Sequence, residues 1–270
     1  MMNDDKPYIL GTDNKEIKRL ELQHQIWLSE AKTGWVSANF SKNNTILDLG
    51  SGPGTCSREL AKIVGTGGKI ISVDKSSYYI QHIENNLQNK YPQIIPICSS
   101  FEDLSLEPNS IDNMFCRWSL AWVQNPNKII SKIKNYLKTG GKMVFHEYYD
   151  WSTHQIFPFK ENIDKCIKKA LKSFKESDFE IDIGATLPQL LYNMDFNIIS
   201  TRLMPKLASP DSIEWNWPKT FYYNYFPKLV KMGYLNNSDT KEFFEDFKSL
   251  EKLHYARIFC PILIEIIAEK

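Results

Sequence analysis

The feature that most limits what this chain can fold into is an alternation. The runs "TILDLG", "KIISVD", "IIPIC", "IDNMFCRW" and "KMVFHEYY" read as five buried strands, and helical stripes fall between them. Cys56, Leu60, Ile63 and Val64 recur at helical spacing and stop at Gly65. Ile80, Ile83 and Leu87 form a second stripe behind a capping Ser76, and Pro92 closes it. Asn125-Pro126 opens a third, carrying Ile129, Ile130, Ile133 and Leu137, and Gly140-Gly141 ends it. Five such alternations predict an α/β fold: a doubly wound, mostly parallel sheet with right-handed crossovers. An amphipathic helix over residues 15–31, with Ile17, Leu20, His24, Trp27 and Leu28 on one face, precedes the first strand.

Past Asp150 the rhythm breaks. Residues 158–176 read as an added helix, "TLPQLLYNM" as another, and "FNIISTRLM" as a return to the sheet. An aromatic segment, "IEWNWPKTFYYNYFPKLVKMGY", and an acid-capped helix, "SDTKEFFEDFKSLEKL", come before "ARIFCPILIEIIA", expected as the last strand. Pro261 inside that run predicts a bulge or an edge position. The map is one domain over residues 1–270. A helical cover spans 1–40, a ligand-binding core 41–150, a helical cap 151–185 and 205–252, and final strands 195–204 and 255–268.

Thirty-three basic side chains against 32 acidic ones leave +1, so no global field favours nucleic acid or an anionic membrane. Five scattered cysteines without a CxxC pair argue against a disulfide framework or a zinc ribbon and suit a reducing cytoplasm. "MMNDDKPYIL" lacks the basic-then-apolar pattern of a signal peptide, and no apolar run is long enough to cross a bilayer.

"ILDLGSGPGTCSREL" joins the first strand to the first crossover helix. A dinucleotide fingerprint would place a third glycine where Thr55 stands; here the glycines are Gly50, Gly52 and Gly54, with Ser51 between the first two. Asp48, two residues before Gly50, would repel a pyrophosphate and favours a ligand carrying a cationic amine. Asp74 ends the second strand, placed to accept hydrogen bonds from two ribose hydroxyls. S-adenosylmethionine satisfies both demands, with no metal required.

At these residues the chain resembles the class I S-adenosylmethionine-dependent methyltransferases. "LDLGSGPG" matches their first motif, "ISVDKS" their ribose-binding strand end, and "LKTGGKMVFHEY" their helix-turn-strand before the substrate region. The nearest likeness is to the small-molecule, ubiquinone/menaquinone-biosynthesis-like branch. The resemblance implies a seven-stranded, Rossmann-like methyltransferase fold with helical cap insertions. It implies Asp48, Gly50, Ser51, Gly52, Gly54, Thr55, Asp74 and Lys75 around the cofactor. Ser100 stands where the family often has an adenine-reading aspartate, leaving Phe101 to lie against the ring and Ser100 or Glu102 to supply the polar contact. Arg117 and Trp118 follow the fourth strand near the methyl end, and Gln23 lies on the covering helix.

Candidate bases are His24, His146 and Glu147. Alternation along "FHEYYDW" allows either His146 with Tyr148 or Glu147 with Tyr149 to meet substrate. Trp215 and Tyr222 in the aromatic segment are candidate substrate contacts, or else cap core. The expected activity is methyl transfer to an O, N or C atom of a small, apolar or aromatic metabolite, by a monomer or homodimer. A protein methyltransferase and a non-catalytic S-adenosylmethionine-binding partner are the alternatives. Nucleic-acid methylation is disfavoured, since "CRWSLAW" occupies the place of the Asn/Asp-Pro-Pro-aromatic turn.

Overall fold

The computed structural model describes residues 13–177 and 179–270. The opening "MMNDDKPYIL", with its signal-peptide reading, lies outside them. In chain order the strands are β1 (Thr45–Leu49), β2 (Lys69–Asp74), β3 (Ile94–Cys98), β4 (Ile111–Arg117), β5 (Leu137–Asp150), β6 (Gln155–Phe157), β7 (Asn197–Met204), β8 (Leu207–Ala208), β9 (Arg257–Phe259) and β10 (Ile262–Glu269). The helices are α1 (Asn14–Ser37), α2 (Thr55–Val64), α3 (Ser77–Asn86), α4 (Pro126–Tyr136), α5 (Glu161–Lys175), α6 (Ile183–Tyr192), α7 (Asn216–Lys231) and α8 (Asn237–Leu250).

Seven strands form one sheet in the order β3-β2-β1-β4-β5-β10-β7. β1 through β5 run parallel, and β10 is antiparallel to both its neighbours. Strands buried on both faces are predominantly apolar. Ile46, Leu47 and Leu49 of β1 accordingly all lie inside. One face carries Phe115, Val144 and Ile267 under Trp35 and α2. The other carries Met114, Met143 and Phe145 against Ile129, Ile133 and Leu187. The strand order reverses at β1 and β4, where a doubly wound sheet opens a ligand crevice.

Local chemistry sets the element ends. Asp13 caps α1 by accepting from Lys15 N (2.9 Å) and Glu16 N (2.8 Å). Ser76 Oγ accepts from Tyr79 N at 3.3 Å to start α3, and Asn125 with Pro126 starts α4.

The structure departs from expectation in three ways. "ARIFCPILIEIIA" is two strands, split at Cys260-Pro261. Pro261 therefore lies outside the ladder, and β10 is an interior strand rather than an edge, with a register shift between Ile262 and Leu263. The first piece, β9, pairs with β6 and β8 in a small antiparallel sheet that no periodicity announced. α1 runs to Ser37, and its buried face includes Glu16, Arg19 and Gln23, which a hydrophobic stripe does not find.

α6 packs so closely on the sheet that a Cβ on Gly184 would stand 2.6 Å from the Tyr148 carbonyl oxygen and 2.7 Å from Ile264 Cγ2. Backbone cannot yield cheaply, so Gly184→Ala should cost about 1–3 kcal/mol by overpacking. Urea denaturation checks this: a lowered midpoint is expected, and an unchanged one would contradict this packing.

Candidate active site

The glycine turn closes between the ends of β1 and β2. Gly50 N and Ser51 N both donate to the Val73 carbonyl at 2.9 Å. Gly50, Gly52 and Gly54 all adopt left-handed φ, +76°, +53° and +82°, which side chains with a Cβ resist. The three differ in what surrounds them. A Cβ on Gly50 would meet Ser119 Oγ at 2.0 Å, and one on Gly54 would meet Ile83 and Leu87 at 2.8 Å. At Gly52, among the described residues, nothing stands closer than Leu20 Cδ1 at 3.9 Å, which leaves room at this face for a ligand.

Asp74 closes the cradle. Its Oδ2 accepts from Gly52 N and its Oδ1 from Ser76 N, each at 2.9 Å. Burial raises its carboxyl above the usual carboxylate range, opposed by those two backbone donors. Its remaining lone pairs can receive ribose hydroxyls. Thr55 opens α2 beside the turn, whereas Lys75 is exposed. Asp48, expected to favour a cationic amine, lies inside the fold. It is 3% exposed, and its Oδ2 accepts from Ser57 Oγ of α2 at 2.5 Å. Burial pushes it up to about 6.

In the loop after β3, the Phe101 ring leans over the turn, its Cζ 3.3 Å from the Gly50 Cβ position. Ser100 Oγ donates to Asp103 Oδ2 (2.8 Å) and accepts from Asp103 N (3.1 Å), so its hydroxyl caps a local turn. Glu102 is exposed, and its carbonyl, bonded by Lys132 Nζ, ties this loop to α4.

All three candidate bases are buried, and each is already engaged by protein groups. Arg117 Nη2 donates to His24 Nδ1 at 3.2 Å. Burial, with Arg117 beside it, lowers His24 to about 2, leaving a neutral buried ring. His146 is fully buried on the α1 side of the sheet. Its Nε2 lies 2.9 Å from Glu265 Oε2, and Arg202 holds the same carboxylate from outside. Glu147 is fully buried on the opposite face, where Oε1 accepts from Ser119 N and Leu120 N, both at 3.0 Å. It clasps the loop after β4.

That loop carries Trp118 at φ +53°, a strained conformation for a tryptophan. Trp118 N donates to the His146 carbonyl at 3.0 Å, and Ser119 Oγ donates to the Gly50 carbonyl at 3.4 Å. The Trp118 ring stacks on Tyr148 and Trp217, centroids 6.1 and 6.0 Å away, with the Arg117 guanidinium 4.9 Å from its own centroid. A cavity of about 40 Å³ opens there, walled by Trp118, Tyr148, Trp151, Trp217 and Phe221.

Gln23 lines this cavity rather than the glycine turn. Its Oε1 accepts from Arg19 Nη1 (2.6 Å) and Trp217 Nε1 (3.1 Å). Arg19 grips Glu16 through two bonds of 2.8 and 2.7 Å, and Asn224 Nδ2 reaches Glu16 Oε2 at 2.7 Å. The network bolts α1 to α7. Tyr148 and Tyr222 reach the cavity. Tyr149, 39% exposed, does not line it, and Trp215 is cap interior, bonded to Glu251 Oε1 at 3.2 Å against Phe247. Arg19, Trp151, His154 and Phe174 also line the cavity and escaped sequence reasoning. A charged residue on a helix and a histidine in an irregular stretch carry no periodic signal.

Whether the residues fit S-adenosylmethionine can be asked of the polar atoms left over. Among the described residues, Ser51 Oγ of the turn, Arg117 Nη1 and Trp118 Nε1 after β4 and His24 Nε2 on α1 are buried without a hydrogen-bond partner, as are Trp27 Nε1, Trp35 Nε1, His146 Nδ1, Glu147 Oε2, Trp151 Nε1 and Asp239 Oδ2. Orphaned donors beside an open glycine face are what a polar ligand would satisfy. The residues fit.

The methyltransferase domain family matches residues 40–194. The Ubiquinone/menaquinone biosynthesis C-methyltransferase UbiE of Francisella tularensis is 25% identical over 201 residues, 67% of this chain and 76% of that protein. The 2-phytyl-1,4-naphtoquinone methyltransferase of Trichormus variabilis is 27% identical over 141 residues, 52% of this chain and 60% of that one. A solved SAM dependent methyltransferase from Aquifex aeolicus superposes with a TM-score of 0.55 at 15% identity, covering 70% of this chain and 91% of its own.

Two outcomes follow for binding and pH. Asp74→Ala should weaken S-adenosylmethionine affinity at least about tenfold, a charge-assisted bond being worth roughly 1.5–3 kcal/mol. Unchanged affinity in calorimetry would remove Asp74 from the site. Burial pushes Glu147 from 4.5 up to about 7, so the folded state binds its proton more tightly than the unfolded chain does. That contribution is full below pH 4.5 and is lost as pH rises through 7. Glu147→Gln, which keeps an acceptor oxygen for Ser119 and Leu120, should lessen the fall in stability over that window; chemical denaturation at pH 5 and pH 8 reads it, and an identical fall in both proteins would refute the buried-carboxyl assignment.

The family match spans more than half of the chain, and this protein belongs to the methyltransferase domain family as a class I S-adenosylmethionine-dependent enzyme.

Proposed function

We propose that the protein methylates a small, largely apolar aromatic metabolite in the cavity beneath its cap. The observation that carries this reading is the position of Trp118. It follows the strand end that meets the glycine turn through Ser119, and its ring is also a wall of the cavity. Cofactor cradle and aromatic chamber thus share one residue. Bulky aromatic walls with a few polar groups are typical of small-molecule sites. The names of the quinone-pathway relatives point to the same acceptor class.

When bound, S-adenosylmethionine supplies a sulfonium methyl group. The chain's contribution is to orient and to exclude water. Asp74 and the left-handed glycines fix one end of the cradle, and the Glu147 clasp fixes Trp118 at the other. Positioning of this kind can supply roughly 7–11 kcal/mol of a barrier. The faces of Trp118, Tyr148 and Trp217 attract a cation by their quadrupoles, and a chamber of low polarity suits a step in which positive charge leaves sulfur.

At about 40 Å³ the cavity is far below the roughly 300–1,000 Å³ of an occupied ligand pocket. Entry of an acceptor requires the α7 rings to part from Tyr148. A cavity walled by aromatic rings in this way suits a small molecule.

Incubating the protein with methyl-labelled S-adenosylmethionine and fractionated cell extract tests the reading. Label in an organic-soluble small molecule is expected. Label confined to protein or RNA would overturn the substrate class.

A further inference from the structure

His154 and Tyr222 take no part in the turn, the clasp or the α1–α7 network, yet both line the cavity. Their bonding settles which way the hydrogens point. His154 Nδ1 lies 2.9 Å from the Phe259 carbonyl oxygen. A carbonyl only accepts, so Nδ1 carries the proton, and in a neutral ring Nε2 is then an acceptor. Nε2 is bonded to Tyr222 Oη, whose hydroxyl must therefore donate to it. The ring is neutral, since burial lowers His154 to about 4, and burial holds the Tyr222 phenol well above its ordinary value. The chain Phe259 carbonyl, His154, Tyr222 thus has one direction, and it leaves Tyr222 Oη with lone pairs only.

A buried oxygen of that kind in an apolar wall discriminates. It welcomes an O–H or N–H hydrogen and repels an ether or carbonyl oxygen. The wall beside the pair is largely ring carbon, with Phe221 5.9 Å from Tyr222 and Trp151 6.0 Å from His154, centroid to centroid, and the Trp151 indole N–H is a further polar group there.

We propose that the His154–Tyr222 pair is the specificity-determining group of the cavity, selecting an aromatic acceptor that carries a free hydroxyl or N–H and rejecting the same ring when that group is capped. The inference rests on the reading of the cavity as an aromatic-acceptor site and names the polar feature such an acceptor must present. The β6–β9–β8 sheet supplies the orienting carbonyl at Phe259 of β9, and this gives the added sheet a function.

The test uses the full chain saturated with S-adenosylhomocysteine and two probes, 1-naphthol and 1-methoxynaphthalene, followed by equilibrium dialysis. The wild-type protein should hold 1-naphthol about tenfold more tightly than its methyl ether, the scale of one buried hydrogen bond with its unsatisfied alternative. Tyr222→Phe should bring the two affinities together, weakening 1-naphthol by the lost hydrogen bond and relieving 1-methoxynaphthalene of the opposed lone pairs. His154→Leu should narrow the preference, because the Tyr222 hydroxyl, freed from Nε2, can then donate to the oxygen of either probe. Equal wild-type affinities that neither substitution alters would overturn the selectivity and leave the aromatic reading standing. Binding of neither probe would overturn the aromatic reading and this inference with it. The wild-type comparison needs no variant to fold.

Discussion

The glycine turn at the end of β1 is the constraint on which the site depends. Its backbone runs left-handed at three positions, and it is held by two amide bonds to the Val73 carbonyl and by the Asp74 carboxylate on Gly52 N. That arrangement fixes where β1 ends relative to β2. It also fixes how closely the loop after β4 approaches, because Ser119 Oγ fills the space a Gly50 side chain would need. Trp118 follows from that approach, and the cavity follows from Trp118.

Two buried carboxylates hold this geometry from opposite faces of the sheet. Glu147 receives the amides of Ser119 and Leu120 on one face, and Glu265 joins His146 to Arg202 on the other. Neither faces the cavity. Buried carboxylates that accept backbone or ring hydrogens are costly unless paired, and here their pairing fixes the strand ends that carry the site. The cap is anchored separately, by the Glu16–Arg19–Gln23 row of α1 reaching Trp217 and Asn224 of α7.

The sequence made the sheet and the cradle legible and the cap much less so, for a physical reason. Strands buried on both faces are predominantly apolar, and left-handed turns favour glycine, so β1, β2 and the turn announce themselves. The first turns of α1 bury the polar row Glu16, Arg19 and Gln23 against the cap, while its later turns, with Trp35, pack on the sheet, and polar residues on a helix read as solvent-facing. His154 follows a single 3-10 turn and precedes a three-residue strand, too short for any periodicity. His146, Glu147 and Asp48 were correctly placed at strand ends, but a strand end does not reveal whether a side chain faces ligand or interior. Their burial became visible only with Glu265, Ser119 and Ser57 beside them.

The account stands on the claim that the cradle built by Asp74 and the open face of Gly52 is shaped for S-adenosylmethionine and not for a dinucleotide. Calorimetric titration of the intact chain with S-adenosylmethionine and, separately, with NAD addresses it most directly. Saturable one-to-one binding of S-adenosylmethionine with none of NAD is the predicted result. Binding of NAD alone, or of neither, would contradict the account at its root.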